Sequence, residues 1–144
     1  MSTSFDEIRD LFLSKIIDYD FASLDETDIN SIFDKYLASA IPKFRYCRKN
    51  LYDRDNMTRV FNETLSDTEK DILSTLCVIQ WMETQINNIE EFRNHLSTKD
   101  FNIFSPANHL KEIRSTKKEL ENKVDSQMNY YLFDIKSSEV GVSD

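Results

Sequence analysis

A single glycine, Gly141, occurs in 144 residues, and it lies only a few positions from the C-terminal end. Only glycine takes positive φ freely or lets backbone approach a phosphate closely, so glycine-lined nucleotide loops and strained catalytic turns have little to build on before the tail. The two prolines, Pro42 and Pro106, leave long stretches with nothing to interrupt a helix. The fold class this implies is all-α: a helical bundle with a long C-terminal helix and a polar tail, working through contacts with other molecules.

At 17.0 kDa the chain is expected to form one domain with a modest core, over residues 1–133, followed by a flexible tail or arm over 134–144. No apolar run approaches the roughly 20 residues needed to span a bilayer, so no membrane is expected among its partners. The acidic start Met1-Ser2-Thr3-Ser4-Phe5-Asp6-Glu7 is unlike a signal peptide, which points to a cytosolic chain with reduced, inert thiols at Cys47 and Cys77. The net charge of −8 is unevenly spread. Residues 1–42 carry net −6, residues 43–59 net +4 and residues 60–144 net −6. The total opposes general binding to nucleic acid; the basic island is the exception.

Helix boundaries are marked locally. Ser4 and Glu7 form a capping box ahead of Ile8, Leu11, Phe12 and Ile16, predicting a first helix that ends near Asp18. After an aromatic connection, Tyr19-Asp20-Phe21, Asp25 caps a second helix with Ile29, Phe33, Tyr36, Leu37 and Ala40 on its apolar stripe; Pro42 ends it. The spacing of Phe44, Cys47 and Leu51 predicts a short helix over 43–51. Residues 53–56 read as a loop, and Met57, Val60, Phe61 and Leu65 predict a further short helix over 57–65. A second capping box, Ser66 to Glu69, opens a central helix through Ile72, Leu73, Leu76, Ile79, Met82 and Ile86, running on past Asn87-Asn88 towards Leu96. An apolar linker, with Phe101, Ile103 and Phe104, precedes Ser105-Pro106. There a last helix starts and is expected to reach Phe133, with a heptad seam of Leu110, Ile113, Lys117, Leu120, Val124, Gln127 and Tyr131.

Catalytic and metal chemistry find no pattern. His95 and His109 lack neighbours at metal-ligand spacing, and no Glu-x-x-His pair exists to build a di-metal site. No glycine-flanked nucleophile turn supports a hydrolase triad. Neither an enzyme nor a cofactor is expected. Two contact surfaces are. The first is the basic island, Lys43, Arg45, Arg48, Lys49, Arg54 and Arg59, with Tyr46 and Tyr52 placed to stack; it suits an acidic neighbour better than DNA. The second is the distal part of the last seam, Gln127, Tyr130, Tyr131 and Phe133, in a helix longer than a small core covers.

The chain resembles the small helical head–tail connector (adaptor) proteins of tailed bacteriophages. The resemblance is carried by the short acidic helix pair, by Tyr36-Leu37-Ala38-Ser39-Ala40-Ile41-Pro42-Lys43-Phe44, and by Leu65-Ser66-Asp67-Thr68-Glu69-Lys70-Asp71-Ile72-Leu73 leading into Trp81. Lys99-Asp100-Phe101 through Ser105 and the long last helix complete it. It implies a ring of identical subunits, often twelve, in the virion neck. The ring would be assembled in the host cytoplasm and seated between the portal protein and the tail or neck proteins. It extends the channel through which genomic DNA passes without specific binding. Adaptors of this kind grip the portal with a C-terminal arm, the role the resemblance gives residues 134–144. Two rival readings are a small acidic intracellular regulator that binds and inhibits a protein partner, and a DNA-binding adaptor.

Overall fold

The computed structural model describes residues 2–16, 24–95 and 106–142; of residues 91–95, 106–109 and 135–142 only the backbone is described. In chain order come β1 (Thr3–Ser4), α1 (Phe5–Lys15), α2 (Glu26–Ala40), a 3₁₀ turn (Ile41–Lys43), β2 (Arg54–Asp55), β3 (Val60–Phe61), α3 (Asp67–His95) and α4 (Pro106–Val142). The protein is an all-α bundle carrying a small antiparallel sheet.

The helix starts follow from their caps. Ser4 Oγ accepts from the Asp6 amide while Glu7 Oε2 accepts from the Ser4 amide, closing a capping box on α1. Asp25 Oδ1 accepts from the Asp28 amide at 2.9 Å and opens α2. Glu69 Oε1 accepts from the Ser66 amide at 2.7 Å and the Glu69 amide donates back to Ser66 Oγ at 3.2 Å, opening α3. α2 stops at Ala40, and Pro42 sits inside the 3₁₀ turn that follows, because its ring cannot continue the hydrogen-bond ladder. α1 ends at Lys15, short of Asp18. The Tyr19-Asp20-Phe21 connection and the linker holding Phe101, Ile103 and Phe104 lie outside the described residues, as do the side chains of His95 and His109.

α3 is the centre, contacting α1, α2 and α4. Leu76, Cys77, Val78 and Ile79 are buried in succession, which a helix allows only when neighbours surround it. Phe12 from α1 and Phe33 from α2 meet beside it with ring centroids 5.4 Å apart. Val124, Met128 and Tyr131 bring α4 into the same core. Full burial of one such side chain contributes roughly 1.5–3 kcal/mol.

Residues 43–65 depart from the sequence reading. Neither the 43–51 nor the 57–65 helix forms. Residues 44–53 make turns and bends, and Arg54 and Asp55, expected in a loop, become β2. β3 pairs with β2 (Arg54 opposite Phe61, Asp55 opposite Val60) and with β1 (Thr3 opposite Phe61, Ser4 opposite Val60), giving the order β1-β3-β2. Two forces defeat the helices. Asp55 Oδ1 accepts from the amides of Met57 and Thr58, fixing a turn that competes with a helix. The chain also takes positive φ at Tyr46 (68°) and Arg59 (57°), a left-handed geometry no helix accommodates and one placed here on residues other than glycine. Thr3 locks the N-terminus across: its hydroxyl donates to the Glu63 carbonyl and accepts from the Leu65 amide. A second departure is the end of α4. Rather than stopping at Phe133, the helix continues through Gly141 to Val142, so its 37 residues span about 55 Å.

Candidate functional site

The basic segment is anchored from beneath. Phe44 and Leu51 are buried, and the Phe44 ring meets Tyr131 of α4 edge-on, with centroids 5.6 Å apart. Tyr46, between these anchors, and Tyr52, just after the second, point outward, 47% and 66% exposed. An arginine lies over each ring. Arg45 sits 5.6 Å from the Tyr46 centroid and pairs with Asp125 of α4 at 3.0 Å. Arg54 sits 5.7 Å from the Tyr52 centroid and is held by the Leu51 carbonyl and Asn56. Lys43 and Lys49 have no side-chain hydrogen bond or ion pair among the described residues.

A hydrogen-bonded chain joins this segment to the start of α3. The Arg48 amide donates to Tyr131 Oη at 3.0 Å, and Tyr131 Oη donates to Glu69 Oε2 at 2.6 Å. Glu69, 2% exposed, keeps its other oxygen on the Ser66 amide. Burial and the bond to Glu69 push the Tyr131 phenol well above its usual range. Burial likewise pushes the Cys47 thiol up to about 11 and the enclosed Cys77 thiol higher still, so both favour the thiol form over the thiolate. Arg48, Lys49, Glu63, Ser66, Thr68, Glu69, Tyr131 and Asp134 line an open cleft of about 570 Å³. Its carboxylates offset its cations.

Arg59 has a different role from the rest of the island. Its Nε and Nη2 donate to the two oxygens of Asp34, both at 2.8 Å, and Nη1 bonds Asp6. Its carbonyl accepts from the Phe5 amide, and its guanidinium lies over the Phe5 ring. The hydrogen bonds to Asp34 hold it more firmly protonated than a free arginine. Arg59 thus ties the hairpin to α1 and α2 and is withdrawn from outside partners.

The expected contact residues of α4 also divide. Gln127 turns inward and donates from Nε2 to Asp71 at 3.0 Å, and Tyr131 is buried. These two are corrected from partner contacts to internal ones: the seam faces α3, whose Asp71 and Glu69 supply their polar partners. Tyr130 and Phe133 remain on the outer face, 73% and 68% exposed. Tyr131 bonds to the first turn of α3, yet α4 runs on to Val142, so its end overhangs the helix it packs on.

The structure therefore brings Lys43, Arg45, Arg48 and Lys49 to one end of the bundle beside the distal part of α4, although some 80 residues separate them in sequence. Arg54 and Arg59 belong to the hairpin. Asp34, Glu69 and Asp125, the partners that settle these roles, had only one forewarning in the sequence: Glu69 as a capping residue. A separate acidic corner lies where α1 meets α2. Asp6, Asp10 and Glu26 gather around Arg9, Asp6 being shared with Arg59, and Asp25 and Asp28 are exposed close by in sequence. Among the described residues no group of three or more His, Cys, Asp and Glu could hold a metal ion, and no helix is long and apolar enough to cross a membrane. No family model matches this sequence, and neither curated proteins nor solved structures give a match.

Proposed function

We propose that this chain is a structural head–tail adaptor, a homo-oligomeric ring seated between a phage portal and its tail that lengthens the DNA channel. The observation that carries the reading is the overhang of α4. A helix secured at Tyr131 to the first turn of α3 and continuing to Val142 is an arm with a rigid root, suited to gripping a neighbouring protein. The exposed Tyr130 and Phe133 at that root add aromatic contact area of the kind interfaces use. The acidic surface agrees with a lumen along which phosphates slide without adhering. In this reading the protein is not an enzyme and needs no cofactor; its partners are identical subunits, the portal, and tail or neck proteins, with the virion neck as its place.

The test is to mix the purified chain with portal protein and examine the product by electron microscopy and mass photometry. Rings stacked on the portal are the expected result. A small stoichiometric complex with a soluble protein, and no ring with any portal, would replace this reading with that of an acidic regulator.

A further inference from the structure

We infer that the segment 43–52 is the docking face for the acidic α1–α2 corner of a second copy of this chain. The inference rests on the ring reading and names the surfaces that would close such a ring.

Three observations converge on the segment. The first is charge. Residues 43–59 carry net +4 in a chain of net −8, and Lys43 and Lys49 have no side-chain partner among the described residues. The second is backbone strain. Tyr46 holds φ at 68°, costly for a bulky side chain, and the strain does not serve to bury the ring, which stays exposed. The left-handed turn thus presents the Tyr46 ring to solvent while its neighbours Phe44 and Cys47 hold the segment on the core. The third is preorganisation. Arg45 over Tyr46 and Arg54 over Tyr52 fix two long side chains against two rings, so less freedom is lost on docking. Tyrosine and arginine are also the residues that carry most interface energy.

The occupant follows from charge complementarity. Asp10, Glu26, Asp25 and Asp28 are exposed, and Arg9 is the one cation bonded among their group in the described residues. Basic segment and acidic corner sit on different parts of one chain: the first against α4, the second on α1 and α2. Unlike surfaces of this kind join copies head to tail, and such contacts close into a ring where the rotation from copy to copy completes a circle. A nucleic acid would meet the same cations, but acidic stretches of net −6 flank the island on both sides.

Sedimentation equilibrium of the full chain at 50 and 500 mM NaCl tests the inference. The wild type is expected to self-associate, with a dissociation constant that rises about tenfold or more at the higher salt. Lys43→Glu with Lys49→Glu should weaken association at least about tenfold, and so should Asp10→Lys with Glu26→Lys. An equimolar mixture of the two variants should recover it, because each reversed face then meets its complement. Tyr46→Gly should lose association while melting no lower than the wild type, which separates docking from folding. Association that survives both reversals overturns the inference and leaves the ring standing. A wild type that stays monomeric up to millimolar concentration overturns it too, and the portal experiment then decides separately on the ring. Uptake of a single-stranded DNA oligonucleotide that Lys43→Glu with Lys49→Glu abolishes also overturns it, by assigning the face to nucleic acid.

Discussion

Tyr131 and Glu69 share a 2.6 Å hydrogen bond between the distal part of α4 and the first turn of α3, and both side chains are buried. One carboxylate thereby does two things: it caps α3 through the Ser66 amide and fixes the root of the overhanging helix. Tyr131→Phe keeps the ring against Phe44 but leaves a buried carboxylate oxygen without its donor. The expected cost is about 2 kcal/mol in urea unfolding. The same tyrosine has a pH signature. Its phenol is raised above the ordinary value of 10.0, so its contribution is full below that value and is lost as pH rises through the folded one. The phenylalanine variant should therefore lose less stability than the wild type between about pH 10 and 11.

Arg59 is a bidentate clamp, and geometry matters there as much as charge. Lysine in its place keeps one positive charge but cannot reach both oxygens of Asp34 and Asp6 together. Arg59→Lys should destabilise by about 1–2 kcal/mol and Arg59→Ala by about 3, since alanine leaves Asp34 without its cation and Asp6 with Arg9 alone. Equal losses in thermal or denaturant unfolding would mean that only the charge matters.

These two sites show what the sequence could and could not convey. The caps at Ser4, Asp25 and Ser66 and the stop at Pro42 were legible because each is decided within four residues of chain. The hairpin was not. Val60 and Phe61 fit a helical stripe as well as a two-residue strand, and β3 is completed by Thr3 and Ser4 from the far N-terminus. A strand that short shows no alternation, and its partner is invisible to any local window. Positive φ at Tyr46 and Arg59 was hidden too, because neither residue type signals it. In α4 the seam was legible but its partner was not. Periodicity says that Gln127 and Tyr131 share a face with Val124 and says nothing of whether α3 or another molecule covers it.

Asp71 supplies an acid-sensitive contact. Burial works against its charge, but the hydrogen bond and charge of Lys15, with the amide of Gln127, outweigh burial and hold its carboxyl below the ordinary 3.8. The unfolded chain then binds the proton first. The contribution to stability is full above the unfolded value and is lost as pH falls through the folded one. Asp71→Asn should therefore lower stability at pH 7 and flatten the decline below about pH 4, as followed by denaturant titration across that range.

The overhang of α4 predicts that stability and partner binding separate at its root. The last buried side chain described on α4 is Tyr131, and α3 begins only two residues before its partner Glu69. A chain ending at Asp134 keeps the ring contact with Phe44, the bond to Glu69 and the seam through Met128. Its unfolding free energy should stay within about 0.5 kcal/mol of the full chain, the range of surface changes that touch no core. On the adaptor reading proposed above, capture by portal protein, read by mass photometry, should fall at least tenfold, because that reading makes the removed helix the gripping arm. A loss above about 1 kcal/mol would show instead that residues 135–144 serve the protein's own core. Full retention of portal binding would move the grip to Tyr130 and Phe133.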